Sequence, residues 1–259
     1  MLEIAISPCP NDTFLFRPWI EGVVGAAPKV HYADIQQLNE WALEGKYPLI
    51  KISLACRPEG YEILPVGAAL GFNVGPKIIA NAPFPLEELG SKRIAIPGKH
   101  TTAHALLKRL CPVPKEKIFC RFDEIVSLLK QGEVDAGLII HESRFTFERE
   151  GFAEIADLGT IWYDRFLLPL PLGGLVMQKG HLLRDEVIET LQACYDYAFA
   201  NTEEGLPFTL KHAQEMEHAV VLQHIQTYVN KETRALSPEG WRAIEELTGE
   251  KVTHLCYTS

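Results

Sequence analysis

Short apolar runs and longer amphipathic stretches alternate along this chain. Leu2 to Ile6 is a run of strand character, and it stops at Ser7-Pro8-Cys9-Pro10-Asn11-Asp12-Thr13, where two prolines forbid regular pairing. Asn11 and Asp12 are good N-cap residues, so a helix is expected from about Thr13. Val30 to Ala33 is a weaker strand. Ile35, Leu38, Trp41 and Ala42 then mark one face of a helix that Gly45 ends. Pro48 to Ala55 is a third strand, interrupted by Lys51 and Ser53, which lie two residues apart and so share a face. Val74 to Asn81 is apolar again and is followed by the linker signal Pro83 and Pro85.

A new strand-turn-helix unit begins at Arg93. Arg93 to Ile96 reads as strand, Pro97 to His100 as turn, and Thr101 to Leu110 as helix. Phe122 to Gly132 is a further helix, capped by Asp123, that leads into the most apolar short run of the chain, Ala136 to His141. Leu168 to Gly174 reads as a second linker, and Leu175 to Met177 as a strand. Beyond it the pattern is helical, with stripes at Val187, Leu191, Cys194 and Ala198 and at Val220, Val221, His224, Ile225 and Tyr228. Ser237-Pro238 opens a last helix with Trp241, Ile244 and Leu247 inward.

Strands alternating with helices give an α/β chain, with mostly parallel strands expected. The two proline-marked crossings, near residues 83–85 and 169–171, bracket a central unit. The expected division is a discontinuous larger domain, 1–86 with 172–259, and an inserted smaller domain, 87–171. Two crossings of this kind place a ligand cleft between the lobes.

Composition narrows the classes. The chain has 259 residues, 47% of them hydrophobic and 23% charged, which is enough apolar material for two ordinary domains. A net charge of −9 with no Lys/Arg block argues against nucleic acid as a partner. No run approaches membrane-spanning length. The N-terminus lacks a basic, signal-length segment. The cysteines (Cys9, Cys56, Cys111, Cys120, Cys194, Cys256) are scattered without a C-x-x-C pair, which suits reduced thiols and a cytoplasmic location.

Polar groups stand out at four strand ends: Ser7 to Thr13 with Asn11, Lys51 to Ser53, Lys99 to Thr102, and His141 to Ser143. Open α/β sheets bind ligands at such ends. Thr101-Thr102 at a helix start can hold an anion through unpaired amides and hydroxyls, or simply cap the helix. Lys51 in an otherwise buried strand needs an acid, either Glu142 or another carboxylate of the chain or ligand. His141 can carry a proton near neutral pH. On position alone, a core histidine bonded to a carbonyl fits equally well. No G-x-S-x-G elbow supports a serine hydrolase, no helical histidine spacing supports a metal, and no glycine-rich phosphate loop supports a nucleotide cofactor.

Ser7-Pro8-Cys9-Pro10-Asn11-Asp12-Thr13-Phe14, the Leu38 to Gly45 helix, Pro97-Gly98-x-His100-Thr101-Thr102-Ala103, Gly137 to Phe145 and Thr227-Tyr228-Val229-Asn230 together resemble the 1,4-dihydroxy-6-naphthoate synthase family of the futalosine route to menaquinone. The likeness is collinear from residue 7 to about 230. It implies a two-lobed fold of the type II periplasmic-binding-protein kind, with mixed sheets, helices on both faces and a cytoplasmic location. It implies a carbon–carbon lyase that cleaves cyclic dehypoxanthinyl futalosine to 1,4-dihydroxy-6-naphthoate and a sugar-derived fragment. It further implies His141 as general base, with Lys51, Ile52, Ser53, Thr101 and Thr102 at the substrate, and no cofactor. At His104 the family pattern leads one to expect an aromatic residue such as tyrosine.

The expected partner is a small carboxylated molecule, with a monomer or homodimer as the assembly. Two other readings remain open at this point: a sibling enzyme resembling chorismate dehydratase, and a small-carboxylate-binding protein without chemistry.

Overall fold

The computed structural model describes residues 1–213 and 217–251. Cys256 therefore lies outside the described residues. The larger unit opens with β1 (Glu3–Ile6), α1 (Pro10–Ile20), β2 (Lys29–Tyr32), α2 (Ile35–Leu43), β3 (Leu49–Ser53), β4 (Tyr61–Ile63) and β5 (Ala69–Gly71). The smaller unit holds β6 (Lys77–Ala80), β7 (Arg93–Ile96), α3 (Thr102–Leu110), β8 (Glu116–Phe119) and α4 (Ile125–Lys130). It continues with β9 (Ala136–Ile139), α5 (Ser143–Thr146), β10 (Ala153–Asp157) and α6 (Leu158–Phe166). The chain returns through β11 (Leu170–Gln178) and ends in α7 (Arg184–Ala200), α8 (Thr202–His212), α9 (His218–Tyr228), α10 (Lys231–Arg234) and α11 (Pro238–Thr248).

Both sheets are mixed. The six-stranded sheet runs β2-β1-β3-β11-β4, with β5 also paired to β11, and the five-stranded sheet runs β10-β6-β9-β7-β8. β1 is parallel to β2 and β3, and β7 to β8 and β9. β11 is antiparallel to all three of its neighbours, and β6 to both of its own. Each sheet thus has one strand running against all the others, β11 in the six-stranded sheet and β6 in the five-stranded one.

The crossings differ from the proline signals for a physical reason. β6 pairs with β9 and β10, so the outgoing crossing falls at residues 72–76, and Pro83 and Pro85 lie inside the smaller unit. The apparent second linker is the start of β11. Pro171 is tolerated there because the register shifts between Pro171 and Gly173, a place where a missing N–H breaks no ladder bond. β11 belongs to both units: Leu170 packs with Ile94, Leu106 and Trp162, while Leu175 and Met177 pack with Ile4, Leu15 and Leu49.

The outgoing crossing touches the first turn of α6 backbone to backbone. A Cβ on Gly75 would stand 2.5 Å from Gly159 N, and one on Gly159 would stand 2.0 Å from the Val74 carbonyl carbon. The Leu158 amide also donates to Pro76 O at 2.9 Å. This glycine contact clasps the hinge.

The last helix follows its sequence signals, with Ser237 accepting from Gly240 N and Pro238 at the first position. The helix after residue 121 begins as a 3-10 turn, Phe122–Glu124, and Asp123 accepts from the Arg121 side chain instead of capping. Among the described residues no helix is long and apolar enough to cross a membrane.

Gly159→Ala tests the clasp. Intrinsic helix propensity alone favours alanine by about 1 kcal/mol. The backbone clash predicts the opposite, a destabilisation of about 1–3 kcal/mol in urea unfolding. Unchanged or raised stability would show that the outgoing crossing and α6 are not in contact.

Candidate active site

The cleft between the units takes its walls from both. Ser7, Asn11 and Asp12 come from the β1–α1 junction, Lys51 and Ser53 from β3, and Thr101 and Thr102 from the start of α3. His141 follows β9, and His224 and Tyr228 come from α9. Seven of the eight residues expected at the site from sequence therefore line one cleft. Ile52 does not. Strand alternation turns it away from Lys51 and Ser53, and it packs with Leu38, Ala42 and Tyr61 behind the sheet.

The junction after β1 is built around one buried carboxylate. α1 starts at Pro10 with Cys9 in the N-cap position, so Asn11 and Asp12 sit in its first turn and not before it. Proline at the first helical position loses no bond there, which is why the helix opens earlier than expected. Asp12 is 1% exposed. Its Oδ2 accepts from the Ser7 hydroxyl at 2.7 Å and from Ser7 N at 3.3 Å. Its Oδ1 accepts from Asn11 Nδ2 at 2.8 Å and pairs with Lys51 Nζ at 2.7 Å. Lys51 also donates to Gly67 O at 2.8 Å. The acid for Lys51 is thus Asp12, not Glu142.

The other lobe docks on this platform. Asn39 Nδ2 donates to Ser53 Oγ at 3.1 Å and to His100 O at 3.0 Å, while Asn39 Oδ1 accepts from Ser53 N at 2.8 Å. Gln36 Oε1 accepts from His100 N at 2.9 Å. The Thr102 hydroxyl donates to Leu172 O at 2.7 Å, and that of Thr101 donates to Gly98 O at 2.9 Å while accepting from His104 N at 3.2 Å. Both threonine hydroxyls are therefore engaged by the protein. What α3 offers an anion is its first-turn amides, those of Thr102 and Ala103, which have no acceptor within the helix. His104 sits behind that turn, bonded through Nδ1 to Lys99 O at 2.9 Å and edge-on to Phe119. It fixes the turn and does not line the cleft.

His141 has φ +57, the left-handed region, one of three such non-glycine residues among those described. β9 has ended at Ile139, so strand alternation no longer decides where the next side chains point. A non-glycine residue held there stores of order 1–3 kcal/mol of strain, a cost that clusters at functional sites. Its Nδ1 lies 3.3 Å from Cys9 Sγ, and the ring meets Phe122 edge-on at 4.7 Å. The orienting partner is this thiol and not a backbone carbonyl. Burial pushes the His141 pKa down to about 4, against the opposing pull of Asp12 and Asp34. Burial, with Glu142 nearby, holds the Cys9 thiol well above its ordinary range. The pair is therefore neutral, thiol with imidazole, and not a thiolate–imidazolium nucleophile. The Cys9 sulfur can accept from Nδ1–H, and in that tautomer the lone pair lies on Nε2, which is buried with no protein partner among the described residues and is the atom able to take a proton.

Among the described residues, Cys9, His141 and Glu142 bring one ligand atom each within 4.8 Å of one another, a grouping that could hold a metal ion. A thiol kept protonated by burial works against it, since metal binding must first release that proton.

The sequence left Asp12, Cys9 and His224 without site roles. His224 stacks on His141 at 6.5 Å between ring centroids and 18° between planes. Its Nε2 meets Asn11 Oδ1 at 3.0 Å. Nearby, Arg144 of α5 donates to Tyr228 Oη at 2.8 Å and to Asp157 at 2.9 Å, tying the smaller unit to α9.

The family profile described as menaquinone biosynthesis matches residues 2–250. A 1,4-dihydroxy-6-naphthoate synthase of Thermus thermophilus is 42% identical over 258 residues, covering 96% of this chain and 93% of the relative. One of Streptomyces coelicolor is 36% identical, covering 95% and 91%. Among solved structures, protein AF1704 of Archaeoglobus fulgidus superposes with a TM-score of 0.89 at 28% identity, covering 95% of this chain and 94% of that one. The alkanesulfonate-binding protein SsuA of Xanthomonas axonopodis pv. citri, bound to MOPS, superposes at 0.71 with 15% identity over 95% and 90%, a likeness of fold alone. That fold is the two-lobed periplasmic-binding-protein type.

Lys51→Met separates a structural lysine from a ligand-binding one. It strands the Asp12 carboxylate in the core, so a stability loss of about 3–5 kcal/mol is expected by denaturant titration. A variant as stable as wild type, with only ligand affinity reduced, would return Lys51 to the ligand.

Proposed function

The chain belongs to the menaquinone-biosynthesis family, and from that premise we propose that it cleaves cyclic dehypoxanthinyl futalosine to 1,4-dihydroxy-6-naphthoate and a sugar-derived fragment. The observation that carries the reading is His141. It is neutral, held in a left-handed turn at the interlobe cleft, and has an unpartnered Nε2.

In this reading the substrate carboxylate rests on the first turn of α3, against the Thr102 and Ala103 amides and the positive end of the helix dipole. The engagement of Lys51 by Asp12 supports α3 over Lys51 as the anion site. His141 Nε2 accepts a substrate proton. That proton comes from a hydroxyl of the sugar-derived part: its O–H pair forms the carbonyl of the departing fragment, the carbon–carbon bond breaks, and the pair of that bond enters the ring system, where the proton is returned to oxygen as the naphthalenediol becomes aromatic. Aromatisation supplies the driving force, so the reaction as written calls for no organic cofactor. The described cysteines are all free, as suits a reducing cytoplasm.

A neutral base whose Nε2 is buried between the lobes has two advantages. It needs no deprotonation before the step, and the low dielectric strengthens its interaction with the charge that develops. The thiol at Nδ1 fixes the ring plane without adding charge.

Incubating the protein with the purified futalosine derivative and following the naphthoate by mass spectrometry tests the activity. Wild type should form it, and His141→Ala should do so about 10²–10⁴-fold more slowly while still binding substrate. No naphthoate from wild type would dismiss the substrate assignment, and wild-type turnover by His141→Ala would dismiss the base.

A further inference from the structure

A second histidine in the cleft has its ring orientation dictated by a chain of buried polar groups that begins at Lys51. The Asp12 carboxylate can only accept hydrogen bonds. Asn11 therefore turns its NH₂ toward Asp12, at 2.8 Å, and its carbonyl oxygen toward His224 Nε2, at 3.0 Å. That oxygen is an acceptor, so Nε2 carries the hydrogen. His224 is 1% exposed, and burial, with His141 and Arg144 close by, holds its pKa well below the ordinary value. The ring is neutral, and its lone pair lies on Nδ1.

Nδ1 is buried and has no protein partner among the described residues. The ring itself lines the cleft. Tyr228, one turn on, accepts from Arg144 through its Oη at 2.8 Å and makes no hydrogen bond to Nδ1. A buried acceptor left unmatched costs about as much as a lost hydrogen bond, and native sites rarely carry one without a use. A carboxylate cannot satisfy it, because a carboxylate has no hydrogen to give. A hydroxyl can.

We infer that His224 Nδ1 accepts a hydrogen bond from a hydroxyl of the bound ligand, and so orients it with its carboxylate on α3 and its hydroxylated part against α9. The ligand's identity rests on the function proposed above, while the requirement for a donor rests on the protein alone. Asn11 and Asp12 act through His224 as positioning residues. A site that bonds a hydroxyl in this way rejects ligands lacking it more strongly than an apolar wall does.

Two measurements on the full chain decide the matter. In ¹⁵N spectra of histidine-labelled protein, His224 (assigned by its loss in His224→Gln) should show a protonated Nε2 and a bare Nδ1, unchanged from pH 8 to 5.5. A protonated Nδ1 or a charged ring would overturn the inference. Calorimetric binding of cyclic dehypoxanthinyl futalosine in a His141→Ala background then reads the bond directly. Adding His224→Phe, which keeps a flat ring, should weaken binding about tenfold. Adding His224→Gln, whose amide oxygen accepts, should restore it to within about threefold. Equal affinity in the Phe variant sinks the inference even if wild type turns the compound over. Weakened binding in it, with no turnover by wild type, sinks the functional reading instead.

Discussion

The site is organised around the ion pair between Asp12 and Lys51, 2.7 Å apart and almost free of solvent. Removing two charges from water costs several kcal/mol per ion after relaxation, and attraction offsets that only when every remaining bond is made. Here the bonds are made: four donors converge on Asp12, and Lys51 has Gly67 O as a second acceptor. The arrangement joins the first strand-turn-helix junction to the middle of β3 and fixes Ser7, Asn11 and the opening turn of α1. Cys9, the N-cap residue of that helix, reaches His141 on the other lobe. His224 depends on the same carboxylate through Asn11. Both histidines of the cleft are thus referred to one buried pair.

Closure of the cleft is the second constraint. Asn39 and Gln36 hold the backbone of His100, Thr102 holds Leu172, and Arg144 holds Tyr228. These bonds span the lobes and bury the imidazoles between them. Burial in turn keeps the imidazoles neutral, so the protonation state of the base is a consequence of lobe docking. The glycine clasp of Gly75 on Gly159 and the shared strand β11 set the hinge about which such docking occurs. Protonation of His141 has a cost for the same reason. Its pKa rises on unfolding, so the unfolded chain binds more protons between about pH 4 and 6.5, and stability falls as pH drops through that window.

Much of this was legible in the sequence where local chemistry decides. The β1–α1 junction, the Thr101-Thr102 helix start and the place of His141 after an apolar run all follow from short-range patterns. Three features were not legible, each because a distant contact overrides the local signal. Pro171 marks a linker by itself, yet the shift in register with β5 admits it to a strand. Lys51 shows that it needs an acid, but its partner lies 39 positions upstream (51 − 12), and nothing in the spacing selects Asp12 over Glu142. His224 falls on an apolar helical stripe, and only the orientation of the Asn11 amide gives it a cleft role. Ile52 shows the converse: the family resemblance implied a place at the substrate beside Lys51 and Ser53, and strand alternation turned it into the core.

His141 can serve as general base because its surroundings keep it neutral. The pH dependence of kcat/KM for cyclic dehypoxanthinyl futalosine tests that claim most directly. With the His141 pKa near 4, the base is available throughout the neutral range, and the profile should stay flat from pH 8 down to pH 5. An acid limb centred near pH 6.5, that of an ordinary solvated imidazole, would contradict it.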